Sequence, residues 1–261
     1  MSLHNDADLL QTILSAQAAG EPAVLVTVVR ARGSVPRHAG SKMVVFADGR
    51  FEGTIGGGQM ESLVLSEAAA ALADGRTRLI PYSLVDPGRG DPGVCGGELE
   101  IFVEPYLPPP TVLVIGCGHV GQAVAHLAHW LGYRVVVNDD RTELVTPEVI
   151  PNADLHLPGP LAEALTQFQV TAQTYVAAVT RNIQVDREIL PQLLATPAPY
   201  IGVIGSRRRW VETSRLLLAD GLTEEQLTRF HSPVGLDIHA ETPAEIAVSI
   251  MAEIILRHRG R

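Results

Sequence analysis

Between an aliphatic run ending at Ile115 and a helical pattern extending to Leu131 stands Gly116-Cys117-Gly118-His119-Val120-Gly121. Three glycines at this spacing, after a strand and before a helix, do three different things. The first makes a tight turn, the second lets backbone approach a phosphate, and the third packs the helix against the strand. The start of that helix offers an anion free N–H groups and the positive end of its dipole. Asp139 lies 23 residues after Gly116, where a ribose-binding acid is expected. Asp139 or Asp140 would favour NAD, while Arg141 leaves a 2′-phosphate, and hence NADP, open.

The pattern around this loop is α/β. Strands over 111–115, 134–137, 175–180 and 200–204 alternate with helices reaching 131 and spanning about 185–194, which predicts a parallel sheet with crossover helices. A Rossmann-like domain over 108–261 is the expectation, although a sheet that keeps its glycines only for packing would read the same. Its last helix opens with Thr242 as N-cap, Pro243 in the first turn and Glu245 closing a capping box before Ile246, Ile250 and Ile254.

Upstream, an α+β domain over 1–107 is expected. It begins with a helix over 6–19 that stops at Gly20, then a strand over 22–29. Strands over 42–46 and 51–55 flank Ala47-Asp48-Gly49-Arg50, a hairpin signal because Asp-Gly tolerates positive φ. A helix follows Gly58 and ends at Gly75, and two more strands fall near 77–84 and 98–104. Pro105, Pro108, Pro109 and Pro110 form a stiff extended spacer at the boundary.

The 261 residues carry 20 Lys+Arg against 29 Asp+Glu, a formal net charge of -9. That disfavours non-specific nucleic-acid binding, which needs a basic surface. Two cysteines, Cys95 and Cys117, make no disulfide framework. The first residues lack the basic start and apolar run of a signal peptide, and no apolar stretch nears the ~18 residues of a membrane span. A cytoplasmic protein is expected.

Against that acidic background, Arg30, Arg32, Arg37 and Lys42 cluster among Gly33, Ser34 and Pro36, and Lys42 is the sole lysine. A basic loop of small residues reads as an anion cradle, or else as a solvated face. Gly56-Gly57-Gly58 brings backbone N–H groups toward an anion or flat heterocycle, or is simply a turn needing positive φ. Gly205-Ser206-Arg207-Arg208-Arg209 follows the strand at 200–204, so it faces the crevice at the carboxyl ends of the strands. At most two of its arginines can point there.

Cys95 precedes Gly96-Gly97, where amide dipoles would lower its pKa and equip it as a metal or sulfur ligand. Cys117 is expected only to fill space. Asp237, His239 and Glu241 alternate as a metal site would, yet Glu241 and Thr242 are explained by the helix start. His126 and His129 lie on a helix and read as structural. No Ser–His–Asp order and no HExxH spacing occurs. Binding apparatus is abundant and acid–base machinery is not.

Taken together, these segments resemble the XdhC/CoxI family of xanthine dehydrogenase accessory proteins. The resemblance rests on Arg32-Gly33-Ser34 with Pro36-Arg37, Gly40 with Lys42-Met43, Gly53 to Gly58 with Glu61, and Cys95-Gly96-Gly97. It continues through Gly116 to Gly121, Asp139-Asp140-Arg141, Ile204 to Arg208, Gly235 to Ile238 and Glu241 to Ala247. His239 departs from it, standing where a small residue is expected.

The resemblance implies a carrier that binds molybdenum cofactor, protects it during sulfuration and delivers it to an apo xanthine dehydrogenase-type hydroxylase. It also implies a homodimer that meets a cysteine desulfurase. Arg32, Arg37, Lys42, Gly56, Gly57, Gly58, Gly116, Gly118, Gly121, Asp139, Arg141, Ser206 and Arg207 would bind cofactor, with Cys95 approaching its molybdenum. An NAD(P)-dependent oxidoreductase and a nucleotide-sensing module are the competing readings.

Overall fold

The computed structural model describes residues 6–84 and 96–260. The chain divides into two compact units, Met1–Pro108 and Pro109–Arg261.

The first unit runs α1 (Asp6–Ala19), β1 (Ala23–Arg32), β2 (Lys42–Phe46), β3 (Phe51–Gly53), α2 (Gln59–Asp74), β4 (Arg78–Ser83) and β5 (Glu98–Tyr106). The strands form an antiparallel sheet in the order β3-β2-β1-β5-β4. Side chains alternate across a strand, and here both faces are covered. Val24, Val26, Val28, Met43 and Val45 pack with Met60, Val64 and Ala68 of α2. Ala23, Leu25, Val44 and Phe46 pack with Leu9, Ile13 and Ala16 of α1. That is why β1 reads as an unbroken apolar run rather than an alternating one. Each such buried aliphatic side chain contributes about 1.5–3 kcal/mol. The second helix closes at Gly75, whose φ of 70° lets its N–H reach Ala71 O at 2.8 Å. β3 stops at Gly53, short of Ile55, because Ile55 leaves the strand for the core beside α2.

The second unit contains β6 (Thr111–Ile115), α3 (His119–Trp130), β7 (Arg134–Asp139), β8 (Leu155–Pro158), α4 (Leu161–Gln167), β9 (Thr174–Ala178) and α5 (Ile183–Leu194). It continues with β10 (Tyr200–Val203), α6 (Arg207–Ala219), α7 (Glu224–Leu227), β11 (Phe230–His231) and α8 (Pro243–Arg259). Its six strands are parallel and ordered β11-β10-β9-β6-β7-β8. Counted within the unit this is the doubly wound order of a Rossmann-like domain, with its switch point between β6 and β9. Val112, Val114, Val135 and Val137 pack on the face covered by α3 and α8. Leu113, Ile115, Val136 and Val176 pack on the face covered by α4, α5 and α6.

The capping box at Thr242 and Glu245 is present, with Glu245 also taking the N–H of Glu241. Four of these elements escape sequence reading: β8, α4, α7 and β11. The edge strand β8 has four residues, one His and one Pro, too short to show periodicity. The helices α4 and α7 span seven and four residues and β11 two, also too short to show a period. No helix among the described residues is long and apolar enough to cross a membrane.

Candidate functional site

The glycines of the 116–121 loop divide their work as their surroundings dictate. A Cβ on Gly116, which has φ of 107°, would stand 2.6 Å from Val179 O beyond the end of β9. A Cβ on Gly121 would stand 1.9 Å from Gly116 O. Both glycines are therefore required by backbone packing. Gly118 is different: it has ordinary φ of −71°, nothing lies within 4 Å of its Cβ position, and no side chain caps α3 there. It is the place in the turn where another molecule has room to meet the backbone.

Beneath the turn lies Asp139, a buried carboxylate at the end of β7. The Cys117 N–H donates to its Oδ2 at 2.7 Å and the Arg141 N–H to its Oδ1 at 2.9 Å. Arg141 adds its Nε at 3.0 Å and Nη2 at 2.8 Å. Both oxygens are thus engaged inside the protein. The neighbouring Asp140 is half exposed and pairs bidentately with Arg181 at 2.5 and 2.6 Å. That guanidinium holds the Asp140 carboxyl well below the usual carboxylate range. Ile115, Gly116, Gly159, Leu161, Val185 and Ile189 line the crevice beside these charges. Burial, with Asp139 nearby, pushes the Cys117 thiol up to about 12, so it fills space as a neutral side chain.

At the end of β10, Ser206 caps α6 by accepting the Arg209 N–H at 3.2 Å. Arg207 and Arg208 are exposed, whereas Arg209 turns inward. Its guanidinium donates to Asp186 Oδ2 at 2.7 and 3.1 Å and to Thr180 Oγ1 at 2.8 Å. Thr180 in turn donates to the other oxygen of the fully buried Asp186. A Cβ on Gly205 would meet Arg209 Cδ at 2.7 Å, so this glycine makes room for the arginine stem.

In the first unit, three segments far apart in sequence meet. Ser34 bridges to Gly96, and a Cβ on Gly97 would lie 2.5 Å from Ser34 O and 2.8 Å from Arg32 O. Pro36 approaches the Cβ position of Gly56 at 3.4 Å. Thr54 steadies this turn, donating to Gly56 O at 2.7 Å and accepting the Gly56 N–H at 3.2 Å. Gly57 and Gly58 face open space at the uncapped start of α2. Arg32 is exposed and Arg37 half-buried beside them.

Lys42 does not share their freedom. Its Nζ is held by Asp6 at 2.8 Å and by Gly40 O at 2.9 Å. Cys95 lies outside the described residues. Asp237 and His239 are exposed and 3.6 Å apart, and His239 has φ of 57°, a left-handed conformation that explains why a small residue is expected there. His126 shares a hydrogen bond with Asn152 at 3.0 Å. Sequence reading missed Arg181, Thr180 and Asp186. Their signal was position: Thr180 and Arg181 follow the strand beside the glycine loop, at the switch point.

Comparison with known proteins agrees with this architecture. A family model described as the XdhC Rossmann domain matches residues 112–254, and one described as the XdhC and CoxI family matches residues 16–83. The chain is 38% identical to the uncharacterized protein YqeB of Escherichia coli over 90% of its own length and 43% of that protein. It is 35% identical to a Bacillus subtilis protein named as a probable subunit of xanthine dehydrogenase, over 60% of this chain and 45% of that one. The chain therefore spans less than half the length of these two relatives. With the molybdenum cofactor insertion chaperone PaoD of Escherichia coli it shares 25% identity, over 94% of this chain and 86% of that protein. A solved structure from Bacillus halodurans, described as a xanthine dehydrogenase, has the same fold. Its TM-score is 0.53 at 23% identity, covering 99% of this chain and 97% of that one. Both family models match in order along the chain, one of them over more than half of it, and the protein belongs to the XdhC and CoxI family.

Proposed function

We propose that this protein is an accessory factor that binds molybdenum cofactor, shields it during sulfuration and hands it to an apo-hydroxylase of the xanthine dehydrogenase type. The observation that carries this reading is the meeting of Arg32-Gly33-Ser34, Pro36, the 56–58 turn and Gly96-Gly97 in the first unit. Likeness to PaoD, which is named for that task, supports it over nearly the whole chain.

The residues present fit the group. Its phosphate suits Arg32 and Arg37, neither of which is paired with an acid among the described residues. The faces of its pterin suit Gly57 and Gly58, where no side chain obstructs approach to backbone N–H groups. When bound, the cofactor supplies a molybdenum centre for a hydroxylase, and this chain needs only to hold, orient and release it. Cys95, next to the Gly96 that bridges to Ser34, is the residue we place toward the molybdenum. A cysteine desulfurase as sulfur donor, a homodimeric state and a cytoplasmic setting belong to the same proposal.

The second unit favours another reading in one respect, since its strand order and glycine loop are those of dinucleotide-binding oxidoreductases. Against catalysis there, Asp139 and Asp140 are both committed to arginines, so neither is set up as a proton donor. Anaerobic equilibrium binding to molybdenum cofactor, followed by transfer to an apo-hydroxylase, decides between them. The wild-type chain is expected to bind and transfer. The double variant Arg32→Ala, Arg37→Ala is expected to lose roughly 10-fold or more in affinity with an unchanged unfolding midpoint. Binding of NAD or NADP, with no affinity for molybdenum cofactor, would replace this proposal with an oxidoreductase or a nucleotide-sensing module.

A further inference from the structure

The last helix, α8, buries one side through Ala247, Ile250, Met251 and Ile254. Its opposite side carries a pattern that a helix facing only water does not need. Ala252 stands at the middle, with Val248 four residues before it and Leu256 four after, and these two are 50% and 56% exposed. Three residues further out on each side stand Glu245 and Arg259, both exposed and of opposite charge. At 3.6 residues per turn the five positions share one stripe. Its order, acid, apolar, small, apolar, base, is symmetric in shape about Ala252 and opposite in charge at the two ends.

The charged ends cannot serve each other within one chain, because the intervening helix holds them about 21 Å apart. Arg257, the other arginine of the last turn, is engaged elsewhere, with Glu253 at 3.7 Å and His231 at 3.3 Å. Glu245 accepts the N–H groups of Glu241 and Thr242 through Oε2 alone. Apolar exposure also continues beyond the stripe. Leu236, 38% exposed, is tied to α8 by its N–H to Ser249 O at 3.2 Å and by the Ser249 hydroxyl to its carbonyl at 2.6 Å. The helix α3 ends beside α8, where Tyr133 and His258 share a hydrogen bond at 3.1 Å, and it carries Trp130 at 76% exposure. Exposed apolar groups gathered in this way mark a contact surface.

We infer that α8 is the contact face of a symmetric dimer, covered by α8 of a second copy of this chain that runs antiparallel about a two-fold axis at Ala252. This rests on the homodimeric state proposed above and adds the face that makes it. In a two-fold contact, residue i meets j and j meets i. Each Val248 therefore meets the partner's Leu256, and each Glu245 meets the partner's Arg259. The methyl of Ala252 lets the two helices approach to about 8 Å. A parallel pairing would set like charges together at both ends, and a partner of one charge would satisfy only one end of the stripe.

Sedimentation equilibrium of the full chain tests the face. The wild type is expected to be a dimer, and Leu256→Glu and Val248→Glu are expected to be monomers with wild-type circular dichroism, since both positions are exposed. Arg259→Glu sets carboxylates opposite one another and is expected to weaken the dimer roughly 10-fold. Adding Glu245→Arg to it exchanges the charges and is expected to restore dimerisation to within about 3-fold of wild type.

A wild type that stays monomeric up to about 100 μM overturns both the face and the homodimeric state. A dimer that persists in Leu256→Glu and Val248→Glu overturns the face alone, and so does a double charge exchange no tighter than Arg259→Glu. Molybdenum cofactor binding, measured separately on the wild type, tests the carrier reading and is independent of all these outcomes.

Discussion

The carboxylate of Asp139 accepts the backbone N–H of Cys117 at 2.7 Å, tying the end of β7 to the glycine loop that follows β6. A buried acid that bonds the loop itself makes the turn a preformed object. The same arrangement withdraws Asp139 from direct contact with a ligand. Its effect on binding is therefore expected to be indirect, through the shape of the turn.

Replacing Asp139 tests that role. Asp139→Ala leaves the Cys117 N–H without its acceptor and Arg141 without its partner, and is expected to cost about 3 kcal/mol of unfolding free energy in urea. Asp140→Ala, at a half-exposed ion pair, is expected to cost less than about 1 kcal/mol. Equal costs would show that Asp139 does not anchor the loop.

The two glycines at the start of α3 should separate as sharply. Gly121→Ala puts a methyl where the Gly116 carbonyl already stands, and should destabilise the fold by about 3 kcal/mol. Gly118→Ala enters open space at ordinary φ and should stay within about 0.5 kcal/mol of wild type. Thermal unfolding of the two variants side by side is sufficient.

Among the three consecutive arginines, only Arg209 carries structure. Arg209→Leu leaves the fully buried Asp186 with Thr180 alone, and a loss of about 3–5 kcal/mol is expected. Arg207→Ala and Arg208→Ala should each change stability by no more than about 0.5 kcal/mol. Chemical denaturation curves check all three.

Cys117 makes stability depend on alkaline pH. Its thiol ionises near 9.0 in the unfolded chain and near 12 in the folded one, because burial and Asp139 oppose the thiolate. Between those values the unfolded state holds fewer protons, so unfolding free energy falls as pH rises through this window. The slope should exceed that of Cys117→Ala by up to about 1.4 kcal/mol per pH unit, read from denaturation curves at pH 9, 10 and 11. Parallel slopes for the two proteins would contradict the burial argument.

Much of the fold was legible because its signals are local. The Asp48-Gly49 turn, the Gly75 helix stop and the Thr242–Glu245 capping box depend on residues within one turn of each other. The 116–121 loop was legible for the same reason. The strands β8 and β11 and the helices α4 and α7 were not, since each is too short to carry a period and the two strands are edges held by pairing with β7 and β10.

The sequence by itself determined the longer strands and helices and the glycine turns, and that a phosphate-sized anion suits the turn at Gly118. Only the tertiary structure decided which members of each charged cluster remain available. Asp139 is spent on a loop 22 residues away, Asp140 on Arg181 at a separation of 41, and Arg209 on Asp186 at a separation of 23. Cys117 and Asp139 meet at the ends of the neighbouring strands β6 and β7, Asp140 and Arg181 follow β7 and β9 on either side of β6, and Asp186 and Arg209 stand on α5 and α6, so the choice between a binding carboxylate and a structural one is made by tertiary arrangement, which local sequence does not encode.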